Sequence, residues 1–202
     1  MLIAFNKPYG VVCQFSPTGD KPTLKQFIDV PGVYPAGRLD TDSEGLLLLT
    51  DDGRLQARIA NPRNNVSKVY WAEVEGAVAT EHLHKLRSPL DLGDFVAEPA
   101  SSARVLDSAP LWERVPPVRF RATIPTTWIE LTIAEGKNRQ VRRMTAKVGL
   151  PTLRLVRMSI GSVSLQDLRI APGTWVELTE NDIFRPEDRK KPQKARKTPK
   201  IE

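Results

Sequence analysis

The sequence predicts an α+β fold built as one unit, and three observations carry that reading. Short strand-like runs alternate with short helical ones, the 202 residues contain no internal repeat or long linker, and 40% of them are hydrophobic, enough for a real core. The longest apolar run, Leu46-Leu47-Leu48-Leu49, is far short of the roughly 20 residues that cross a bilayer, which excludes a membrane span. The N-terminus has no basic region ahead of an apolar segment and no small-residue cleavage site, as expected of a cytoplasmic protein. Cys13 is the only cysteine, so neither an internal disulfide nor a cysteine-based zinc site can be assembled within the chain.

Each element has its own signal. Leu2 to Phe5 and Val11 to Gln14 flank a Pro8-Tyr9-Gly10 turn and read as strands, and Thr23 suits the cap of a short helix through Ile28. Leu46 to Thr50 reads as a strand buried on both faces, although periodicity alone does not separate it from a helix start, and Asp51-Asp52-Gly53 is a turn. Arg54 to Ala60 is then helical, stopped by Asn61-Pro62. Lys68 to Glu75 mixes Val69, Tyr70, Trp71 and Val74 with polar residues as a strand does, and Thr80 to Ser88 reads as a capped helix. Pro110 to Pro117 is expected to be an irregular loop. Arg119 to Ile124 and Trp128 to Ala134 are expected to form a hairpin around Pro125-Thr126-Thr127. Asn138 to Val148 reads as a helix, and Leu153 to Ile160 and Trp175 to Thr179 as strands.

The net charge of +6 is unevenly placed. Residues 185 to 202 hold eight basic and three acidic residues, a net +5 that leaves only +1 for the rest of the chain. With Pro186, Pro192 and Pro199 and no apolar periodicity, this tail is expected to be disordered, either a solubilising end or an RNA contact. A second concentration lies between Gly136 and Met158, where Lys137, Arg139, Arg142, Arg143, Lys147, Arg154 and Arg157 occur with no acidic residue. Such polarisation suits a phosphate backbone, whose condensed counterions are released by basic side chains. On the helix from Asn138, Val141, Met144 and Val148 project to one side and Arg139, Arg142 and Arg143 to the other. Within that helix no carboxylate stands three or four residues away, so their partners come from elsewhere in the fold or from a ligand.

Several chemistries lack their usual signatures. There is no Gly-x-x-x-x-Gly-Lys loop and no Gly-x-Gly-x-x-Gly fingerprint. His82 and His84, the only histidines, are two apart on an expected helix and point in different directions, so they read as surface residues. Asp40-Thr41-Asp42-Ser43-Glu44-Gly45 imitates a calcium loop, but its twelfth position is Asp51 rather than glutamate and Tyr34-Pro35-Ala36-Gly37 cannot be an entering helix.

In a longer frame, Gly37-Arg38-Leu39-Asp40 followed by Gly45-Leu46-Leu47-Leu48-Leu49-Thr50 resembles the signature of the RsuA-type RNA pseudouridine synthases. Lys68-Val69-Tyr70 is similar to that family's second motif, Glu135 to Met144 resembles its third, and Asn6-Lys7-Pro8-Tyr9-Gly10-Val11 matches its opening strand. The likeness covers residues 1 to about 184 and is greatest to the RluE branch, through Pro110 to Pro117 and Ile124 to Trp128 and through the lack of an S4-like domain ahead of Asn6. It implies a catalytic domain over 1–184 with a mixed, mostly antiparallel sheet in two sub-lobes, flanked by helices around a central cleft. The implied activity is isomerisation of one uridine to pseudouridine in ribosomal RNA, most like 23S RNA of the large subunit or an assembling subunit.

The resemblance assigns roles residue by residue. Asp40 is the catalytic carboxylate, expected to be largely buried. Tyr70 stacks on the uracil and reaches for a proton at C5, and Arg142 is the basic partner that keeps Asp40 ionised. Arg38, beside Asp40, is the candidate to fill the gap left by a flipped base or to clamp the neighbouring phosphate, and from the basic run Lys137, Arg139, Arg143, Lys147 and Arg154 are candidates for RNA contact. No metal or organic cofactor is implied, and the enzyme is expected to act as a monomer. The alternatives are a non-catalytic RNA-binding or ribosome-assembly protein on the same fold, for which a basic helix and stacking aromatics serve equally well, and a calcium module.

Overall fold

A computed structural model describes residues 1–119, 121 and 123–184 of the chain. Its strands are β1 (Leu2–Lys7), β2 (Tyr34–Pro35), β3 (Glu44–Thr50), β4 (Lys68–Glu75), β5 (Leu90–Asp91), β6 (Val96–Ala97), β7 (Ser102–Val105), β8 (Thr126–Ile133), β9 (Thr152–Ile160), β10 (Val163–Ser164) and β11 (Trp175–Leu178). The helices are α1 (Gly53–Ala60), α2 (Thr80–Leu86), α3 (Gln140–Lys147), α4 (Leu165–Leu168) and α5 (Glu180–Ile183). Among the described residues one sheet runs in the order β11-β1-β3-β9-β4-β8-β7, with β2 paired to β3, β10 paired to β9, and β5-β6 as a separate ribbon. Among the strands named here, β3 and β9 are the pair that runs parallel. The fold is α+β, as expected.

The four leucines of β3 divide between two cores because both faces of the strand are covered. Leu46 and Leu48 pack with Leu2, Trp71 and Val156, while Leu47 and Leu49 pack with Ile3, Phe5 and Leu24. A third core lies beyond β9, where Ala72, Ile129 and Leu131 of the central strands meet Leu86 of α2 and Val141 and Met144 of α3. Two lobes thus share one sheet, and β3 and β9 form the seam between them. At that seam Gly45 faces Arg157 with φ +104°, and a Cβ there would stand 2.4 Å from the Arg157 carbonyl oxygen. No other residue type fits the approach.

Several local expectations differ from the structure. Val11 to Gln14 is not a strand but makes one bridge, Val12 to Thr23, because Lys7 Nζ binds the Pro8 and Val11 carbonyls and draws the chain into a turn. The segment after Thr23 closes only a 3₁₀ turn, Leu24–Gln26. The described residues of 119–124 form no strand, and β8 takes β4 and β7 as its partners instead of a local hairpin. The third helix starts at Gln140, two residues later than expected, since Arg139 sits in the left-handed region at φ 48°. The basic tail, residues 185–202, lies outside the described residues. Among those described, no helix is long and apolar enough to cross a membrane.

Candidate active site

The loop of residues 36–43 joins β2 to β3 and is fixed from several sides. Ala36 N–H donates to the Leu48 carbonyl at 2.8 Å, Gly10 N–H to the Thr41 carbonyl at 2.8 Å, and Ser43 N–H to the Asp40 carbonyl at 3.0 Å. Leu39 N–H donates to Cys13 Sγ at 3.4 Å, and its side chain reaches into the core that contains Tyr70. Anchored there, Leu39 leaves Asp40 at a pocket of about 230 Å³, whose lining includes Arg38, Lys68, Tyr70, Arg139 and Arg157. Sequence motifs far apart in the chain thus converge on one cavity at the seam of the two lobes.

The guanidinium nearest Asp40 is that of Arg139, 3.6 Å from Oδ2. This corrects the expected Asp40–Arg142 pair. Arg142 donates to the Asp42 carbonyl at 2.7 Å and the Thr152 carbonyl at 3.2 Å, and its Nε lies 3.6 Å from Asp42 Oδ2. The helix starts late, so its first turn presents Arg139 to the pocket and Arg142 to the backbone behind it. Arg142 is not among the residues lining the cavity. The Asp40 side chain is 32% exposed rather than largely buried, because it stands on the pocket wall.

Asp42 is the carboxylate that α3 grips. Arg139 Nη1 and Nη2 each donate to one of its oxygens at 2.8 Å, a bidentate arrangement that strengthens both bonds. Hydrogen bonding from Arg139 holds the Asp42 carboxyl below the usual carboxylate range, against the opposing effect of burial and with help from the Arg142 charge. The same contact raises Arg139, and desolvation lowers Arg142. Asp42 was legible in the motif two residues after Asp40 but had no assigned role.

The other expected RNA-binding residues fare unequally. Arg154 is buried, donates to both Glu44 oxygens at 2.8 and 2.9 Å and also to the Trp112 carbonyl at 3.0 Å, so it braces the loop around Trp112 and presents nothing to RNA. Trp112 Nε1 completes that network by donating to Glu44 Oε1 at 2.7 Å. Arg143 pairs with Asp94 and Lys137 with Glu135, and both cations lie against the Phe95 ring. Arg143 thus takes its partner from a distant loop, while that of Lys137 stands two residues before it in the chain. Arg38 and Lys147 are exposed, and among the described residues no carboxylate lies within ion-pair distance of either.

Two pocket residues went unassigned from sequence. Lys68 is buried and donates to the Val66 carbonyl at 2.8 Å and the Ala134 carbonyl at 3.1 Å, and burial, with the Arg157 charge, lowers its pKa to about 8. Strand alternation was the available signal, since Lys68 and Tyr70 are two apart and share a face. Arg157 is directly opposite Tyr70 on β9, a pairing across 87 positions of sequence that no local pattern reveals.

Residues 1–147 match the family model described as RNA pseudouridylate synthase. A protein of Xanthomonas axonopodis pv. citri named ribosomal large subunit pseudouridine synthase E is 57% identical over 171 residues, covering 83% of this chain and 90% of that one. One of the same name from Vibrio parahaemolyticus is 52% identical over 177 residues, covering 88% of this chain and 73% of that one. A solved structure described as a pseudouridylate synthase superposes with a TM-score of 0.74 at 32% identity, covering 90% of this chain and 71% of that one. The chain belongs to the RNA pseudouridylate synthase family, in the RsuA-type group and its RluE branch, and is a pseudouridine synthase.

Proposed function

We propose that this enzyme isomerises one uridine of large-subunit ribosomal RNA, with Asp40 as the catalytic carboxylate and Tyr70 against the base. The observation that carries the reading is the convergence of Asp40 and Tyr70 on one pocket of about 230 Å³. That volume is below the ~300 Å³ at which pockets for drug-sized ligands begin, and it suits a single flipped nucleobase. The names of the large-subunit relatives support the choice of RNA.

In the reaction the C1′–N1 bond breaks, the uracil turns, and a C1′–C5 bond forms with loss of the C5 proton and gain of one at N1. Asp40, partly exposed on the wall, can approach the sugar as an anion, either to attack or to stabilise positive charge at C1′. The Arg139 guanidinium at 3.6 Å favours that anion. Arg142 acts behind it by fixing the Asp42 backbone, a positioning role in place of a direct pair. Tyr70 lies in the pocket as the stacking ring, and its hydroxyl is the proposed acceptor of the C5 proton. Arg38, exposed at the loop, is placed to fill the space of the flipped base, and Lys147 and the paired Lys137, Arg139 and Arg143 offer the surrounding positive charge.

The enzyme is proposed to act in the cytoplasm as a monomer. Among the described residues the exposed large apolar side chains are Met1, Tyr34, Val96, Val105 and Val115, which come from different segments of the chain, and this supports that state. The function is tested by tritium release from C5-labelled uridine in large-subunit RNA. Wild type should release it and Asp40→Asn should not; equal release from both sinks the assignment.

A further inference from the structure

Two of the cations that line the pocket are buried, and the fold does not neutralise them. Arg157 is only 4% exposed, and its guanidinium donates to the Leu46 carbonyl at 2.8 Å and the Arg38 carbonyl at 3.4 Å. Its Nη2 is buried with no hydrogen-bond partner. Lys68 is 9% exposed and spends two of its three N–H groups on the Val66 and Ala134 carbonyls, leaving one. Among the described residues neither has a carboxylate within 4 Å, in contrast to the Arg154–Glu44 pair farther along the same strand. Buried charges are ordinarily paired, because removal from water is costly. Two unpaired ones lining a single cavity point to a ligand that is, or becomes, negative.

Their placement identifies the part of the ligand they meet. Arg157 is the cross-strand partner of Tyr70 on β9, and Lys68 precedes Tyr70 by two residues on β4, so all three belong to one face at the inner end of the pocket. A phosphate stays with the RNA backbone and does not reach residues this deeply buried. A base inserted against Tyr70 does.

Resting on the function proposed above, we infer that Arg157 and Lys68 form the electrophilic floor of the active site, donating hydrogen bonds to the two carbonyl oxygens of the uracil. When the C1′–N1 bond breaks, its electron pair leaves with N1 and the negative charge spreads to O2 and O4. Donors fixed at those oxygens stabilise the detached base without reorganisation. The same floor serves both halves of the reaction. A half-turn of uracil about its N3–C6 axis exchanges N1 with C5 and, with them, O2 with O4. The two donors therefore face two carbonyl oxygens before the turn and after it, so the base can be held while C5 comes to C1′. The new C1′–C5 bond then forms, C5 loses its proton and N1 gains one, which closes the balance.

The test uses Arg157→Lys and Lys68→Met in the full chain, with single-turnover tritium release and RNA affinity measured separately on large-subunit RNA. The release rate should fall by about 100-fold in each variant, the size of loss seen when one charge-stabilising donor is removed. RNA affinity should stay within about threefold, since phosphate contacts are untouched. A second substrate distinguishes chemistry from mere support of the fold. RNA containing 5-fluorouridine has a more stable leaving base, so loss of intact 5-fluorouridine should show a penalty for Lys68→Met at least about tenfold smaller than the uridine penalty. Equal penalties on the two substrates, rates within threefold of wild type, or a fall in affinity that matches the fall in rate each overturn the floor while leaving the function standing. Absence of release by wild type overturns both.

Discussion

Arg139 holds Asp42 through two hydrogen bonds of 2.8 Å, from a left-handed backbone conformation at the start of α3. The clamp joins the loop that bears Asp40 to the helix of the third motif, so it fixes both walls of the pocket together. Asp42→Asn removes the charge that Arg139 and Arg142 share, and tritium release should fall by about tenfold or more. The pH dependence follows from the lowered carboxyl. A depressed group stabilises the fold above its ordinary value of 3.8 and loses that contribution as pH falls through the lower folded value. Acid unfolding followed from about pH 5 to about pH 2 should show wild type losing its advantage over Asp42→Asn.

Arg142→Ala leaves the Asp42 and Thr152 carbonyls without their donor and should lower stability by about 1–3 kcal/mol. Denaturant midpoints measure this. An unchanged midpoint contradicts the bracing role.

Glu44→Gln breaks a buried ion pair and should cost about 3–5 kcal/mol, because Arg154 remains buried without its counter-charge. Trp112 reports the same event. Its indole donates to Glu44, so its emission should shift to the red if the loop loosens.

Gly45→Ala forces a Cβ within 2.4 Å of the Arg157 carbonyl oxygen in a strained backbone region. The seam between β3 and β9 should open, with a loss of at least about 2 kcal/mol by chemical denaturation. Gly37→Ala is the comparison. It shares a positive φ but meets nothing within 4 Å, so it should be the milder change.

Lys68 adds a base-side pH effect. Burial lowers it from 10.5 to about 8, so between those values the unfolded chain binds the proton and the folded chain does not. Stability conferred by this site therefore rises as pH climbs through that window. The stability of wild type minus that of Lys68→Met should increase from pH 8 to pH 10.5, measured by urea unfolding. A flat difference contradicts the burial of the ammonium.

The sequence by itself determined the elements with strong local signals. Lys68–Glu75 carries the strand pattern along its whole length, and Arg54 to Ala60 before Asn61-Pro62 lies within α1. The Asp40 and Tyr70 motifs were legible for the same reason, since contiguous residue types persist along a chain whatever its fold. Tertiary structure alone decided which charges meet. Arg142 seemed the partner of Asp40 by its place in a motif, yet a two-residue delay in the start of α3 gave Arg139 to the pocket and Arg142 to the Asp42 carbonyl. Arg154 and Arg157 looked alike within one basic run. The parallel register against β3 put Arg154 on Glu44 and left Arg157 unneutralised beside Tyr70, a distinction set by contacts more than 80 positions apart. Charge interactions reach through space, so their pairing belongs to the fold.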